Sequence, residues 1–314
     1  MRIAFCGSGF PDAPRMLRDR LPSDEIVICA EDAPPRSVAE AEVVIPAMTR
    51  IDDALMAKSR IRLIQQWGAG VEGVDLEAAK RHGIWVANVP SGDTFNAESV
   101  ADLALLFTLE LLRDLRQAQA NVRAGRLGAP LGRSLAQCTV CLFGLGNIAA
   151  ALAPRLKACG ARMIGISRRP DPAKSAQLGL SDCFAVEDRL TALAKSDVAV
   201  LCLPLTSETR GIVGAAELAA LPRGALLINV GRGALIDYPA FLTALESGHL
   251  GGAGLDVYWK EPIDPADPLL AFPNVIATPH VGGVTEQSYA AIMETVAGNI
   301  ERLRRGEPPI NRVA

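Results

Sequence analysis

Short apolar runs recur along the whole chain, and most are followed by a stretch with helical spacing. In order they read RIAFC, EIVICA, EVVIP, RLIQQW and IWVANV, then TVCLFG, RMIGIS, DVAVLCLP, ALLINVG, AGLDVY and NVIATP. Many are apolar at successive residues rather than at alternate ones. A strand of that kind is buried on both faces, as parallel strands covered by helices must be. The alternation predicts an α/β chain with two doubly wound parallel sheets.

Residues 96–125 separate the two sets. Asn96 suits a helix N-cap and Glu98 a first turn. From Val100 to Leu115 the pattern is apolar almost all round, which predicts a helix over 98–120 buried between domains or against a second subunit. The Gly/Pro-rich segment RAGRLGAPLGRSL follows. The last stretch, 284–305, has helical spacing and is expected to pack back on the first domain.

The run VCLFGLGNIAAALAPRLKACG combines a strand, a G-x-G-x-x-A turn and a helix. Gly144 permits the tight turn. Gly146 lets backbone approach a pyrophosphate over the helix start at Asn147 and Ile148, and Ala149 takes the position where helix packs on strand. An earlier G-x-G, Gly7-Ser8-Gly9, is followed by Pro11 and Pro14, and reads as a strand-end loop rather than a second nucleotide site. The second strand after the turn ends in Ser167, Arg168 and Arg169. An NAD site has a carboxylate there for the ribose hydroxyls, whereas guanidinium groups suit the 2′-phosphate of NADP. NADP(H) is the cofactor expected, with NAD(H) possible. The alternative is two solvated arginines beside Pro170 that leave NAD binding unaffected.

The totals exclude other classes. The chain is 49% hydrophobic with a net charge of -3, and shows no basic block of the kind nucleic acid requires. The longest apolar stretch, LALLFTLELL, is too short for a membrane span and contains Glu110. The first residues carry too short an apolar run for a secretory signal, so a cytoplasmic protein is expected. Among seven cysteines, CTVC has the spelling of half a metal or redox site. It leads into a strand, where residues three apart face opposite sides, and no second pair exists, so no metal is expected.

Of three histidines, His82 and His249 sit at helix ends with local roles. His280, in ATPHVGG, ends an apolar strand, and strand C-termini face the ligand crevice of a doubly wound domain. Two more strand ends point the same way: Val230-Gly231-Arg232-Gly233, and AGLDVYWKEP with Asp256 and Glu261. Trp67, Trp259, Phe95 and Tyr258 are candidates either for pocket lining or for core packing.

With these residues the chain resembles the D-isomer-specific 2-hydroxyacid dehydrogenase family over essentially its whole length. The matching stretches are GAGVEGVD (68–75), GLGNIA (144–149), LPLTSETRGIV (203–213), NVGRGALID (229–237), GAGLDVYWKEP (252–262) and TPHVGG (278–283). The resemblance implies a Rossmann cofactor domain, 96–283, inserted in a flavodoxin-like substrate domain made of 1–95 and 284–314. It implies catalytic roles for Arg232, Glu261 and His280. His280 would exchange a proton with the substrate oxygen, Glu261 would hydrogen-bond the imidazole and favour its charged form, and Arg232 would hold the substrate carboxylate. Backbone N–H groups at Ala69, Gly70 and Val71 would bind the same carboxylate. Leu203, Pro204, Val230 and Gly231 would line the cofactor, Asp256 would accept from its carboxamide, and Gly282 would lie beside it. The 98–120 helix would form a homodimer interface.

Departures from the family pattern narrow the expectation. Pro46 and Met48 stand near places where members acting on a phosphorylated acid carry arginines, with only Arg50 nearby. A formate dehydrogenase has glutamine where Glu261 stands. What remains resembles an NADP-dependent glyoxylate/hydroxypyruvate reductase. The alternatives are an NAD-using member with a larger substrate, and a non-catalytic dinucleotide sensor like the family's corepressor branch.

Overall fold

A computed structural model describes residues 1–7, 9–29 and 35–314. Ser8, in the Gly7-Ser8-Gly9 turn, lies outside the described residues. The chain divides into two units, Met1–Asn96 with Thr285–Ala314, and Ala97–Val284.

The first unit holds five parallel strands: β1 (Arg2–Cys6), β2 (Glu25–Cys29), β3 (Val43–Ile45), β4 (Leu63–Gln65) and β5 (Trp85–Ala87). Their order is β2-β1-β3-β4-β5. The unbroken apolar runs arise because successive residues enter two different cores. Ile3, Phe5, Val43 and Ile45 pack on Tyr289, Ile292 and Val296 of the helix Glu286–Arg304. Ala4, Cys6, Val44 and Ile64 face the opposite layer with Ala78 and Ala79. Thr285 caps that last helix by accepting the Ser288 N–H at 3.3 Å.

The second unit holds β6 (Thr139–Phe143), β7 (Arg162–Ser167), β8 (Asp182–Ala185), β9 (Val198–Leu201), β10 (Ala225–Asn229), β11 (Leu250–Leu255) and β12 (Val275–Ala277). All are parallel, in the order β12-β11-β10-β9-β6-β7-β8. Strand order reverses between β6 and β9, the switch point at which such sheets bind ligands. Cys141 faces one core and Cys138 the other, so CTVC cannot gather two sulfurs on one ion. β8 is not among the apolar runs of the sequence. It is a short edge strand, DCFA, with no fully buried residue.

The helix expected over 98–120 is two helices, Asn96–Arg113 and Leu115–Arg123. Asp114 breaks the run. Its φ of 44° is left-handed, and its carboxylate caps the second helix by accepting the Gln117 N–H at 3.3 Å. The apolar-all-round pattern is buried on one side only. Ala101, Ala104 and Phe107 enter the core, whereas Leu106 is 52% exposed and Leu109 and Leu115 are also exposed. Phe107 packs so closely on β11 that a Cβ at Gly254 would lie 2.6 Å from the Phe107 Cβ. Phe107 is 1% exposed and has nowhere to retreat. Gly254→Ala is therefore expected to cost about 2 kcal/mol, read as a lower urea midpoint at unchanged slope. No helix among the described residues is long and apolar enough to cross a membrane.

Candidate active site

The site in the second unit begins at the switch point. Strand β6 runs into Gly144 at φ +96°, a backbone conformation that side chains oppose. A Cβ there would also meet the Leu203 Cβ at 2.8 Å and the Cys202 carbonyl oxygen at 2.9 Å, both just past β9. Gly146 precedes the helix Asn147–Ala158 and gives it no side-chain cap. A Cβ on Gly146 would meet nothing within 4 Å, so space lies open over the helix start. Asn147 is exposed, Ile148 half-buried and Ala149 wholly buried against the sheet. Open space, a helix N-terminus and a glycine turn together fit a pyrophosphate.

At the end of β7 the Ser167 Oγ is buried with no hydrogen-bond partner among the described residues. Arg168 is 82% exposed and, among the described residues, pairs only with a distant carboxylate oxygen, that of Glu208 at 3.9 Å. Arg169 is exposed as well. A buried hydroxyl in want of a partner and two available guanidinium groups fit the adenosine end of a dinucleotide. Leu203 and Val230 are largely buried at the exits of β9 and β10, and Pro204 is exposed.

Beyond β10, Asn229 is wholly buried and clamps the next turn. Its Oδ1 accepts the Gly231 N–H at 3.1 Å, and its Nδ2 donates to the Arg232 carbonyl at 2.9 Å. Arg232 is thereby presented in extended conformation, with Nη1 donating to the Gly231 carbonyl at 2.8 Å. Asp256, just past β11, is 3% exposed. Its carboxylate accepts from the Thr278 hydroxyl at 2.6 Å and from the Val281 and Gly282 N–H groups, both at 2.8 Å. Burial pushes the Asp256 carboxyl above its ordinary value, against the pull of those donors and of the His280 charge. These bonds hold the turn past β12 in which His280 sits at φ +56°.

His280 Nδ1 lies 2.6 Å from Glu261 Oε2, and Glu261 Oε1 accepts the Tyr258 N–H at 2.9 Å. Burial by itself would raise the Glu261 carboxyl. The hydrogen bond and charge of His280, the Tyr258 N–H and the Arg232 charge outweigh it and hold the group below its ordinary value of 4.5. An ionised carboxylate only accepts, so Nδ1 carries the proton in this pair. The sign of the linkage follows. The depressed Glu261 carboxyl contributes stability that is present above its ordinary value of 4.5 and is lost as pH falls through the lower folded value. Between pH 6 and pH 3 the urea midpoint of the wild type should therefore fall more steeply than that of Glu261→Gln.

Of the aromatic candidates, Trp67 is core, edge-on to Phe5 and Tyr289 at 5.9 and 5.7 Å. Trp259 packs on Tyr238 and Phe241 with Nε1 donating to the Ile236 carbonyl at 2.6 Å, and Phe95 is 60% exposed. His82 Nε2 lies within hydrogen-bond distance of Asp53 Oδ1 at 2.8 Å, and His249 Nε2 meets the Leu221 carbonyl at 2.9 Å. In the first unit, Ala69, Gly70 and Val71 lie in a loop after β4. There the Ala69 carbonyl accepts from Asn88 Nδ2 at 2.8 Å, and the Val89 N–H donates to the Gly68 carbonyl at 3.0 Å. Sequence reasoning missed Asn229, Thr278 and the hydroxyl of Tyr258. Only Asn229 carries a signal, as a polar residue closing an all-apolar strand. Among the described residues no cluster of His, Cys, Asp and Glu could hold a metal ion.

The D-isomer specific 2-hydroxyacid dehydrogenase, NAD binding domain family matches residues 105–282. A glyoxylate reductase of Thermococcus litoralis is 34% identical over 90% of this chain and 87% of its own. A D-3-phosphoglycerate dehydrogenase of Archaeoglobus fulgidus is 31% identical over 86% of this chain, which spans 51% of that longer protein. Among solved structures, the NADPH-dependent glyoxylate/hydroxypyruvate reductase of Sinorhizobium meliloti, in complex with NADP and malonate, superposes with a TM-score of 0.84. It is 32% identical and covers 100% of this chain and 96% of its own.

Proposed function

Because the chain belongs to the D-isomer-specific 2-hydroxyacid dehydrogenase family, and is thus an NAD(P)-dependent oxidoreductase of 2-hydroxy and 2-keto acids, we propose a specific reaction for it. It reduces a small unphosphorylated 2-keto acid of the glyoxylate or hydroxypyruvate type with NADPH, and a chiral product has the D configuration. The observation that carries the chemistry is the 2.6 Å contact between His280 Nδ1 and Glu261. With Nδ1 committed to the carboxylate, Nε2 is the atom that delivers a proton to the new alkoxide, or removes one in reverse. Glu261 stabilises the charged imidazole before transfer. Arg232 pairs with the substrate carboxylate and draws charge onto the keto oxygen. A bound nicotinamide supplies the hydride. Gly144, Gly146, Asn147 and Ile148 would hold its pyrophosphate, Ser167, Arg168 and Arg169 its 2′-phosphate, and Asp256 its carboxamide.

Two features support the finer terms. Arg168 and Arg169 stand where an NAD site carries an acid. Pro46 and Met48 offer nothing to a substrate phosphate. The exposed Leu106 and Leu109 of the helix Asn96–Arg113 offer apolar surface on which a second copy would dock. The deciding experiment is the initial rate of NADPH and of NADH oxidation, each with glyoxylate and with hydroxypyruvate. Faster NADPH oxidation with either acid is expected. Faster NADH oxidation would overturn the cofactor, and no turnover of either acid would overturn the substrate class.

A further inference from the structure

We propose that Tyr258 is a positioning residue for the His280–Glu261 pair, its hydroxyl and its backbone N–H fixing the two chain segments that carry the imidazole and the carboxylate. The inference rests on reading His280 as the proton-transfer group. Tyr258 lies between Asp256 and Glu261, on the segment leaving β11, and is 8% exposed with its ring in the core. From its backbone it donates to Glu261 Oε1 at 2.9 Å. That leaves Oε2 for His280, so each carboxylate oxygen meets a different donor and the group is held in one rotation. From its side chain Tyr258 donates to the Thr278 carbonyl at 2.8 Å. The same carbonyl accepts the His280 N–H at 3.0 Å.

One residue thus grips the carboxylate directly and the histidine turn through Thr278. The turn needs holding, because His280 at φ +56° sits in a conformation that a residue with a Cβ resists. Packing alone does not explain the hydroxyl, since a phenylalanine would fill the same volume. Burial, then the charges of Asp256 and Glu261, push the Tyr258 phenol upward, so it stays protonated and able to donate. The neighbouring Trp259, anchored to the Ile236 carbonyl at 2.6 Å, keeps the segment from following a displaced tyrosine.

Tyr258→Phe tests this by removing one oxygen atom. We expect kcat to fall about fivefold, the factor one neutral hydrogen bond is worth, with the KM for NADPH unchanged and the melting temperature lower by only about 2 °C, the share of that one bond. The pH–kcat profile of keto-acid reduction should shift. The far-downfield proton resonance of the His280–Glu261 hydrogen bond, first assigned by its loss in Glu261→Gln, should move or broaden. A variant with wild-type kcat, pH profile and resonance overturns the proposal. So does a fall in kcat accompanied by a matching loss of cofactor affinity and a melting temperature lowered well beyond the share of one hydrogen bond, with the resonance unmoved, which would be the mark of a merely structural bond. The resonance needs no turnover. If the protein reduces no 2-keto acid, the reductase reading fails and the resonance by itself decides for or against the Tyr258 linkage.

Discussion

Replacing His280 with alanine is expected to lower kcat by about 10³-fold, the middle of the range for a general acid–base group. NADPH binding should stay within about threefold, since the glycine turn, the helix start and the arginines after β7 are untouched. Without the imidazole the alkoxide must find its proton in water. Glu261 would also lose the donor that offsets its burial, and its carboxyl should move back up. The left-handed φ of 56° complicates the alanine variant, because removal of the ring and relief of backbone strain arrive together. His280→Asn separates them. Asparagine tolerates that conformation but cannot transfer a proton at neutral pH, so it should be as slow as alanine. An asparagine variant with more than a tenth of wild-type kcat would remove His280 from the chemistry. A wild type that binds NADPH but turns over no 2-keto acid would favour a dinucleotide sensor.

Arg168→Asp combined with Arg169→Ala should reverse the cofactor preference, changing the ratio of kcat/KM for NADPH over NADH by about 10²-fold. Two charge-assisted hydrogen bonds to a phosphate could supply more than this. The lower figure is chosen because Arg168 is 82% exposed, and exposed charges are screened by water and salt. The present partner of Arg168 is an oxygen of Glu208 at 3.9 Å, a loose surface contact that a 2′-phosphate would displace. The preference should accordingly weaken as ionic strength rises. Equal rates with the two cofactors before and after the exchange would mean that SRRP is a solvated strand end.

The parts legible in the sequence share one property: their signal lies within a few residues. An apolar run such as RIAFC announces a strand buried on both sides, because consecutive residues must each find a core. The G-x-G-x-x-A turn is legible because its helix and strand are contiguous with it. The edge strand Asp182–Ala185 escaped because it is half-buried and begins with an aspartate. The last strand before Asp256 begins earlier than its apolar pattern, at Leu250, because its glycines are there for close packing and carry no hydrophobic signal. The break at Asp114 escaped because LLRDLRQA continues a helical pattern through it. The choice between one helix and two was made by a single side chain turning back to cap the following turn.

By itself, then, the sequence determined the α/β class, the dinucleotide turn, the missing acid after β7 and the identities of Arg232, Glu261 and His280. All are matters of residue type and local spacing. Only the tertiary structure decided how those residues are brought together. Glu261 and His280 are separated along the chain by the whole segment that forms β12, and their 2.6 Å contact exists because β11 and β12 are parallel neighbours that end at the same level. Asp256 holding the histidine turn and the Tyr258 hydroxyl joining the two exits are likewise bonds across strand ends, whereas Asn229 holds the arginine turn locally, through residues two and three further along the chain. No residue spacing encodes the bonds across strand ends, because each is set by the strand order and register of the sheet.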